Sequence, residues 1–544
     1  MFRIGVDFDN TIACYDPLFR DVALAMGLVA PVVGASKSAV KAQILSQPDG
    51  DLNWQRLQGQ LYGKYMLKAE MFPGFCEFLY LSKLRGHKVF IVSHKSQFGH
   101  FDEDQISLCD QALRWLQLNK FFEQDGLALH KQDVFFEPTR EDKIRRICDL
   151  GCTHFIDDLS EVFEEPLFPD DVQKILFSPN NTQHPKPLTH LSLLHSWREV
   201  TQRLYGFWTE ADVCRVVQAR FPLLGIKQVE LRKGRGNSRI YKLLGSENNY
   251  ALKIYPDRQR DPRPRLETEF SACQMLQAHG YPVTEAVTSD NILGWAIYRW
   301  IEGAPIEKPN TLFLDEAIKF VRRLTSDSRL LNSDTQFSQA SEACLSGLEI
   351  TRQIQNRLQI LMAVESKALT DFLGDELIPY YTVAVQCAKQ ECGRLFDSEL
   401  TRTLQILSPS DFGFHNALLE EGSDRLVFMD FEYFGWDDPV KLIADFYWHP
   451  GMNLTSNLRE QWLKSALKIF QDDPSFARRL SAYLPLFGIR WCLILLNEFH
   501  RQGAENRLHA DPQKASDLAK IRVEQLNKSK ILLEQIKETT SEYG

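Results

Sequence analysis

Short runs of apolar residues recur along residues 1–180, with room for a helix between one run and the next. Three of them lie at 2–8, 88–92 and 154–156. Short apolar runs of this kind are suited to buried strands of a parallel sheet. The pattern predicts a doubly wound α/β domain, in which functional residues follow the carboxyl ends of the strands.

The pattern changes around residues 180–208, where prolines and asparagines favour turns. A new helix is predicted after Thr209, a suitable N-cap ahead of apolar positions. Short β-like runs follow over 227–255, and helical patterning dominates from residue 313 onward. We therefore predict two domains, 1–200 and 209–540, the second with a β-rich small lobe at 226–300 and a helical lobe at 305–540.

Composition narrows the functional classes. A chain of 544 residues is longer than one hydrophobic core usually serves. The net charge of -9 provides no basic footprint for nucleic acid or anionic membrane surfaces. The apolar run at 483–499 contains Pro485 and Arg490 and is interpreted as a buried helix, too short to span a bilayer.

Two further signals concern the compartment. The eleven cysteines are scattered without a Cys-x-x-Cys pair, which favours reduced thiols over a disulfide framework or a zinc site. The first residues lead directly into acidic positions and do not resemble a secretory signal. We expect a cytoplasmic protein that binds small phosphorylated or hydroxylated molecules, and neither nucleic acid nor membranes.

Polar residues suited to phosphoryl chemistry follow the predicted strands of the first domain. They are Asp7, Asp9, Ser93, Lys143, Asp157 and Asp158. One carboxylate can attack phosphorus, a second can transfer a proton, and carboxylate oxygens suit Mg²⁺. Taken singly, each has an ordinary alternative: a capped turn at Asp7 and Asp9, a helix N-cap at Ser93, a bland helix-surface lysine, and a solvated loop at Asp157 and Asp158.

In this order the strings Asp7-Phe8-Asp9-Asn10-Thr11, Phe90-Ile91-Val92-Ser93, Glu141-Asp142-Lys143 and Phe155-Ile156-Asp157-Asp158 resemble the four motifs of the haloacid dehalogenase (HAD) superfamily. The resemblance implies a Rossmann-like phosphatase domain with a helical cap at 14–72 that selects the substrate. It implies that Asp7 forms an aspartyl-phosphate, that Asp9 is the general acid and base, and that Ser93 and Lys143 hold phosphoryl oxygens. Asp157 and Asp158 would complete an Mg²⁺ site with Asp7 and Asp9.

The two residues after Ser93 have two interpretations. His94 and Lys95 carry groups that bind phosphate well, but they are equally suited to a loop facing solvent.

The second domain contains candidate nucleotide-binding residues. Gly234, Gly236 and Ser238 lie between β-like segments, where backbone N–H groups either approach a nucleotide phosphate or simply close a hairpin. Lys253 lies in the next predicted strand and Glu269 in the next helix. A lysine and acid pair of this kind anchors nucleotide phosphates in kinases.

The most specific string of the second domain is Ser410-Asp411-Phe412-Gly413-Phe414-His415-Asn416, followed after a strand by Asp430. This spacing supplies a base and two metal ligands. The pattern resembles the aminoglycoside phosphotransferase and choline kinase branch of the protein-kinase-like fold over 209–530.

That resemblance implies a bilobal α+β domain that uses ATP and Mg²⁺, with residues 299–303 linking the lobes. It implies that Asp411 is the catalytic base, that Asn416 and Asp430 bind Mg²⁺, and that Lys253 anchors phosphate beside Glu269. Ser410 departs from the pattern, because the family usually has glycine there, preceded by histidine.

The leading hypothesis is a bifunctional enzyme, an Mg²⁺-dependent phosphatase joined to an ATP-dependent kinase for a small-molecule hydroxyl, with sugars as the first candidates. The alternative is one active module controlled by a second module that binds a nucleotide or metabolite without turnover.

Overall fold

The chain forms two compact units, Met1–Val229 and Glu230–Gly544, in a computed structural model. The residues described are 1–30, 37–99, 104–124, 126–179, 189–206, 208–232, 238–256, 261–330, 337–423, 425–500 and 518–543. The division falls after Val229, so the helix Glu210–Arg220 is part of the first unit and not of the second. Its N-terminal Asp212 forms an ion pair with Arg85 of that unit at 2.7 Å.

The first unit alternates strands and helices. Its strands are β1 (Arg3–Val6), β2 (Ala13–Cys14), β3 (Glu70–Met71), β4 (Lys88–His94), β5 (Val134–Glu137), β6 (His154–Asp157), β7 (Gln173–Phe177) and β8 (Leu191–Leu194). Its helices are α1 (Asp16–Ala25), α2 (Lys37–Leu45), α3 (Gly50–Tyr62), α4 (Phe75–Leu84), α5 (Leu108–Leu118), α6 (Arg140–Asp149), α7 (Ser160–Phe163), α8 (Trp197–Tyr205) and α9 (Glu210–Arg220).

Six of these strands form one parallel sheet in the order β5-β4-β1-β6-β7-β8. The three strands predicted from the apolar runs lie side by side in it, and the predicted parallel sheet is confirmed. The five central residues of β4 are all buried, which explains its apolar run Val89–Val92. The sheet therefore brings the carboxyl ends of β4, β1 and β6 to one edge.

The segment between β1 and α4 is an insertion with its own stem. Strands β2 and β3 pair antiparallel, with Ala13 opposite Met71 and Cys14 opposite Glu70. Helices α1, α2 and α3 lie between these two short strands in the chain. This helical segment coincides with the predicted cap at 14–72.

The second unit begins with strands and ends with helices. Its strands are β9 (Ile226–Arg232, which spans the division), β10 (Arg239–Gly245), β11 (Asn249–Ile254), β12 (Ala286–Asp290), β13 (Trp295–Arg299), β14 (Gly303–Pro305), β15 (Ile406–Ser408), β16 (Ala417–Glu420), β17 (Leu426–Phe428) and β18 (Gly435–Asp437). Its helices are α10 (Arg265–Ala278), α11 (Thr311–Leu330), α12 (Gly347–Met362), α13 (Lys367–Asp371), α14 (Ile378–Cys392), α15 (Pro439–Trp448), α16 (Ser456–Ile469), α17 (Phe476–Leu495) and α18 (Leu518–Tyr543).

Five strands of this unit form a sheet in the order β12-β13-β11-β10-β9, with α10 between β11 and β12 in the chain. Two small antiparallel pairs, β16 with β17 and β15 with β18, hold the loops that carry the candidate catalytic residues. Helix α15 is buried along its whole length, and Asp438 precedes it as the N-cap, whose side chain accepts from the Val440 N–H.

Among the described residues, one helical stretch, Phe476–Phe499, is long and apolar enough to cross a membrane by length and composition. It starts seven residues before the apolar run seen in the sequence, so the expectation that it is too short was wrong. However, 72% of the tested window is buried inside the protein, and its Arg490 pairs with Glu342 at 2.6 Å. The interpretation as a buried core helix is confirmed.

Gly5 in β1 is required by the close approach of β6. A Cβ atom at Gly5 would lie 2.5 Å from a ring carbon of Phe155 and 3.2 Å from the sulfur of Cys152. We expect Gly5→Ala to lower the free energy of unfolding by about 1–3 kcal/mol through overpacking. Urea unfolding measures this, and Phe155→Leu in the same background should recover part of the loss. Equal stability of Gly5→Ala and wild type would contradict the prediction.

Candidate active sites

The first candidate site lies where β1 and β6 end. Asp7 directly follows β1, and its N–H donates to the carbonyl of Ile156 in β6 at 2.9 Å. Asp157 is the last residue of β6. Adjacent parallel strands thus place these two predicted residues side by side, as the sequence led us to expect.

Lys143 joins the two carboxylates. The side chain of Thr139 caps α6, and Lys143 lies in the first turn after that cap. Its Nζ donates to Asp7 Oδ1 and to Asp157 Oδ2, both at 2.6 Å, and all three side chains are buried. The predicted lysine and two predicted acids therefore form one hydrogen-bonded group.

Burial and the neighbouring charges together shift the pKa values of this group. It raises the pKa of Asp7 to about 7, assisted by the neighbouring charges of Asp157 and Asp9 and opposed by Lys143. Burial and the charge of Asp157 also raise the pKa of Asp158 well above its usual range. For Lys143, the two carboxylates outweigh burial and raise the pKa above its ordinary value.

The donor set fits a hard cation. Oxygens of Asp7, Asp157 and Asp158 lie within 4.8 Å of one another. Three carboxylates around one point repel each other unless a cation lies among them, and oxygen donors are the ligands that Mg²⁺ prefers. Ser93 is buried near the end of β4, and among the described residues it makes no side-chain hydrogen bond to these carboxylates.

Asp9 lies in a different environment. Its Oδ2 accepts from Lys95 Nζ and its Oδ1 from the Tyr15 hydroxyl, both at 2.6 Å. The Asp9 carboxylate is thus held outside the group formed by Asp7, Asp157 and Asp158.

Lys95 is buried, so the interpretation of this residue as a solvent-facing loop residue was wrong, whereas His94 is exposed. The ammonium of Lys95 lies 5.7 Å from the ring centre of Tyr62 on α3, within the range of a cation–π contact. Lys95 is therefore a member of the site that the sequence left undecided.

The second candidate site centres on Lys253 of β11. Its Nζ donates to Glu269 Oε2 on α10 and to Asp430 Oδ1, both at 2.6 Å, and lies 3.2 Å from Glu432 Oε2. Burial alone would lower the pKa of Lys253, but the three carboxylates raise it well above its ordinary value. Burial raises the pKa of Glu269 to about 7. The predicted lysine and acid pair is present, and Asp430 joins it.

Glu432 is a further member of this site, and no role was predicted for it from the sequence. Oxygens of Glu269, Asp430 and Glu432 lie within 4.8 Å of one another, and Glu432 also pairs with the buried Arg265 of α10. Its position two residues beyond Asp430, just after the same strand, is the sequence signal that could have revealed it.

Asp411 lies in the loop between β15 and β16. Its Oδ1 accepts from His415 Nε2 at 2.9 Å, and the Asn416 amide donates to its Oδ2 at 3.2 Å. Although burial opposes ionisation, these two hydrogen bonds and nearby histidines hold the pKa of Asp411 well below its usual range. His449 stacks on His415 with ring centres 3.7 Å apart. The candidate base is thus a fixed, ionised carboxylate.

The amide nitrogen of Asn416 donates to Asp411, and its amide oxygen takes no part in that contact. Together with the carboxylate of Asp430, it forms an oxygen donor set that fits Mg²⁺. Ser238 is buried at the start of the described segment, while Gly234 and Gly236 lie outside the described residues.

The residue before the base has an unusual backbone. Ser410 has φ = 67°, a left-handed conformation that costs a residue with a Cβ about 1–2 kcal/mol and glycine nothing. This geometry explains why glycine is usual at the position. Asp430 also has a positive φ, 69°.

Comparison with known proteins supports a phosphotransferase segment in the second unit. Residues 227–329, which include Lys253 and Glu269, match the model of the phosphotransferase enzyme family (APH). A comparison with curated protein sequences finds no match.

Three solved structures illustrate the structural matches. Choline kinase LicA from Streptococcus pneumoniae is 15% identical with a TM-score of 0.38, and the match covers 60% of this chain and 99% of that one. The gentamicin-APH(2")-IIa complex is 17% identical with a TM-score of 0.41, covering 60% and 97%. Spectinomycin phosphotransferase APH(9)-Ia, in complex with ADP and spectinomycin, is 11% identical with a TM-score of 0.41, covering 60% and 98%.

The buried charge group of the first unit makes Lys143 essential for stability. Lys143→Met leaves Asp7 and Asp157 without their shared cation, and we expect the free energy of unfolding to fall by about 3–5 kcal/mol in EDTA. Asp7→Asn should restore part of this loss because it removes one of the buried charges. Chemical unfolding provides the measurement.

Lys174→Met is the matched control, because this buried lysine lies over the ring of Phe168, 5.2 Å from its centre. Its loss should cost about 1 kcal/mol, the scale of a cation–π contact. Equal losses for the two lysine variants would argue against a special role for the carboxylate group.

Proposed function

We propose that the second unit transfers the γ-phosphoryl group of ATP to a hydroxyl of a small molecule. The observation that carries this proposal is the position of Lys253, whose ammonium contacts Glu269 and Asp430 at the same time. A lysine between a helix acid and a metal-binding aspartate is the arrangement that positions nucleotide phosphates in kinases. The match of residues 227–329 to the phosphotransferase enzyme family supports it.

Asp411 is assigned the role of base. The acceptor oxygen forms a bond to the γ-phosphorus, the bond from that phosphorus to the β-phosphate oxygen breaks, and ADP leaves. The hydroxyl proton passes to Asp411, whose carboxylate is held ionised and oriented by His415 and Asn416. Asn416 and Asp430 would hold Mg²⁺, which supplies positive charge against the phosphate oxygens. Sugars are the first acceptor class to test.

We also propose that the first unit hydrolyses a phosphate ester through an aspartyl-phosphate. The specific observation is the bridge from Lys143 to Asp7 and Asp157, which places a cation beside the candidate nucleophile. An Asp7 oxygen bonds to phosphorus as the ester oxygen leaves with a proton from Asp9. Water then attacks phosphorus, giving its proton to Asp9 and releasing phosphate and the Asp7 carboxylate. Asp7, Asp157 and Asp158 would hold Mg²⁺.

Together these proposals describe a bifunctional enzyme. Removal and addition of phosphate at one position would be a futile cycle, so we propose different positions or successive intermediates as the substrates. The competing proposal is a single active unit regulated by nucleotide or metabolite binding at the other.

The kinase proposal is tested with Asp411→Asn. Removal of the base should lower the kcat for phosphoryl transfer by about 100-fold or more. The ATP affinity should change little, because Asp411 is assigned to the acceptor hydroxyl and Lys253 and Glu269 to the nucleotide phosphates. Transfer of radiolabelled γ-phosphate to a panel of free sugars and calorimetric ATP binding are the measurements. The exposed Asp397→Asn is the matched control. ATP binding by wild type without transfer to any acceptor would favour the regulatory alternative.

The phosphatase proposal is tested with Asp7→Asn. We expect hydrolysis of p-nitrophenyl phosphate and a panel of sugar phosphates to be lost, because an amide does not form the phosphoryl intermediate. Asp21→Asn on the exposed face of α1 should retain it. Trapping of labelled phosphate on wild type but not on Asp7→Asn would locate the intermediate. Hydrolysis that survives the substitution would refute the assignment of Asp7.

A further inference from the structure

The loop that presents Asp411 depends on one strained residue. Ser410 is the last residue before the base and has φ = 67° although it carries a Cβ. Left to itself, a serine would relax toward negative φ, which would turn the following carboxylate away from its present position. Something in the surrounding structure must hold this conformation.

The side chain of Lys441 meets Ser410 from helix α15. Its Nζ donates to Ser410 Oγ at 2.9 Å, and both side chains are buried. The ammonium also forms ion pairs with two carboxylates of the same region, Asp437 Oδ2 at 3.3 Å and Asp445 Oδ2 at 3.2 Å. These ion pairs fix Lys441 in place while it donates its hydrogen bond to the hydroxyl of Ser410.

The backbone at position 410 has a second anchor. The Ser410 N–H donates to Ser408 Oγ at 3.1 Å, and Ser408 is fixed in β15, where it pairs with Gly435 of β18. The N–H of Asp411 donates to the carbonyl of Pro409 at 2.9 Å. The residue is therefore held through its N–H on one side and through its hydroxyl on the other.

We propose that Lys441 is a positioning residue for phosphoryl transfer: its buried ammonium holds the Ser410 hydroxyl and so keeps the left-handed backbone that presents Asp411 to the acceptor. Lys441 contacts neither acceptor nor nucleotide in this arrangement. The inference rests on the proposed kinase function. It also accounts for a serine at a position where glycine would adopt the same backbone without help.

Two substitutions of Ser410 separate the effect of its backbone conformation from the effect of its hydroxyl. Ser410→Ala and Ser410→Gly both remove the hydroxyl, but only alanine keeps the cost of a positive φ. With ATP, Mg²⁺ and the most rapidly phosphorylated free sugar, we expect kcat of Ser410→Ala to lie about tenfold below that of Ser410→Gly. The KM for ATP should agree within about twofold between them, because only presentation of the base differs.

Lys441→Met tests whether Lys441 acts through the hydroxyl of Ser410. It should lower kcat in the wild-type background and have a smaller effect in the Ser410→Gly background, where no hydroxyl remains to be held. Because Lys441→Met leaves Asp437 and Asp445 without their cation and risks misfolding, crystal structures of the two Ser410 variants serve as a second measurement. We expect Asp411 to keep its contacts with His415 and Asn416 in Ser410→Gly and to lose them in Ser410→Ala.

The outcomes are distinct. Equal kcat for Ser410→Ala and Ser410→Gly, or an unchanged Asp411 in the alanine variant's crystal structure, would overturn the inference. If wild type phosphorylates no sugar in the panel, the proposed function is what fails, and the two crystal structures still decide whether Lys441 holds the loop.

Discussion

A carboxylate buried next to another carboxylate is stable only if a cation lies between them, and both candidate sites are built on this constraint. Lys143 serves the buried Asp7 and Asp157 in the first unit. In the second, Lys253 serves the buried Glu269 and Glu432 together with the partly exposed Asp430. Dehydration and mutual repulsion would otherwise protonate the acids. Under the proposed function, the same ammonium also offsets the negative charge of the phosphoryl group. One interaction therefore holds the acids of each site together and suits the site to an anionic ligand.

The two units position their candidate catalytic acids with different backbone conformations. In the first unit, parallel strands deliver the acids in extended backbone, so placement costs little strain. In the second unit, the candidate base Asp411 follows Ser410, which has a left-handed backbone. The candidate metal ligand Asp430 has a left-handed backbone itself. Such residues persist only where their surroundings overdetermine them, and they concentrate at functional sites. The buried contacts of Ser410 supply that reinforcement, so the second site depends on packing far beyond its own loop.

Much of this arrangement was predictable, because the signals are local. Short apolar runs locate β1, β4 and β6, and parallel pairing of β1 with β6 then brings the residues at their carboxyl ends together. Contacts between residues far apart in the chain were not predictable in the same way. Lys95 lies 86 positions from Asp9 in the chain, and no local pattern distinguishes a buried partner from a solvent-facing loop lysine. Likewise, the capping signal at Thr209 marks where α9 begins but not which core the helix joins.

The pairing of Lys95 with Asp9 also links the helical insertion to the chemistry. Asp9 accepts from Tyr15, at the start of the insertion, and Lys95 lies near the ring of Tyr62 at the end of α3. Both contacts come from the segment that lies between the stem strands β2 and β3. A movement of that segment would alter the hydrogen bonds of the candidate acid and base directly. Tyr15 and Tyr62 therefore couple the position of the insertion to the hydrogen bonds of Asp9.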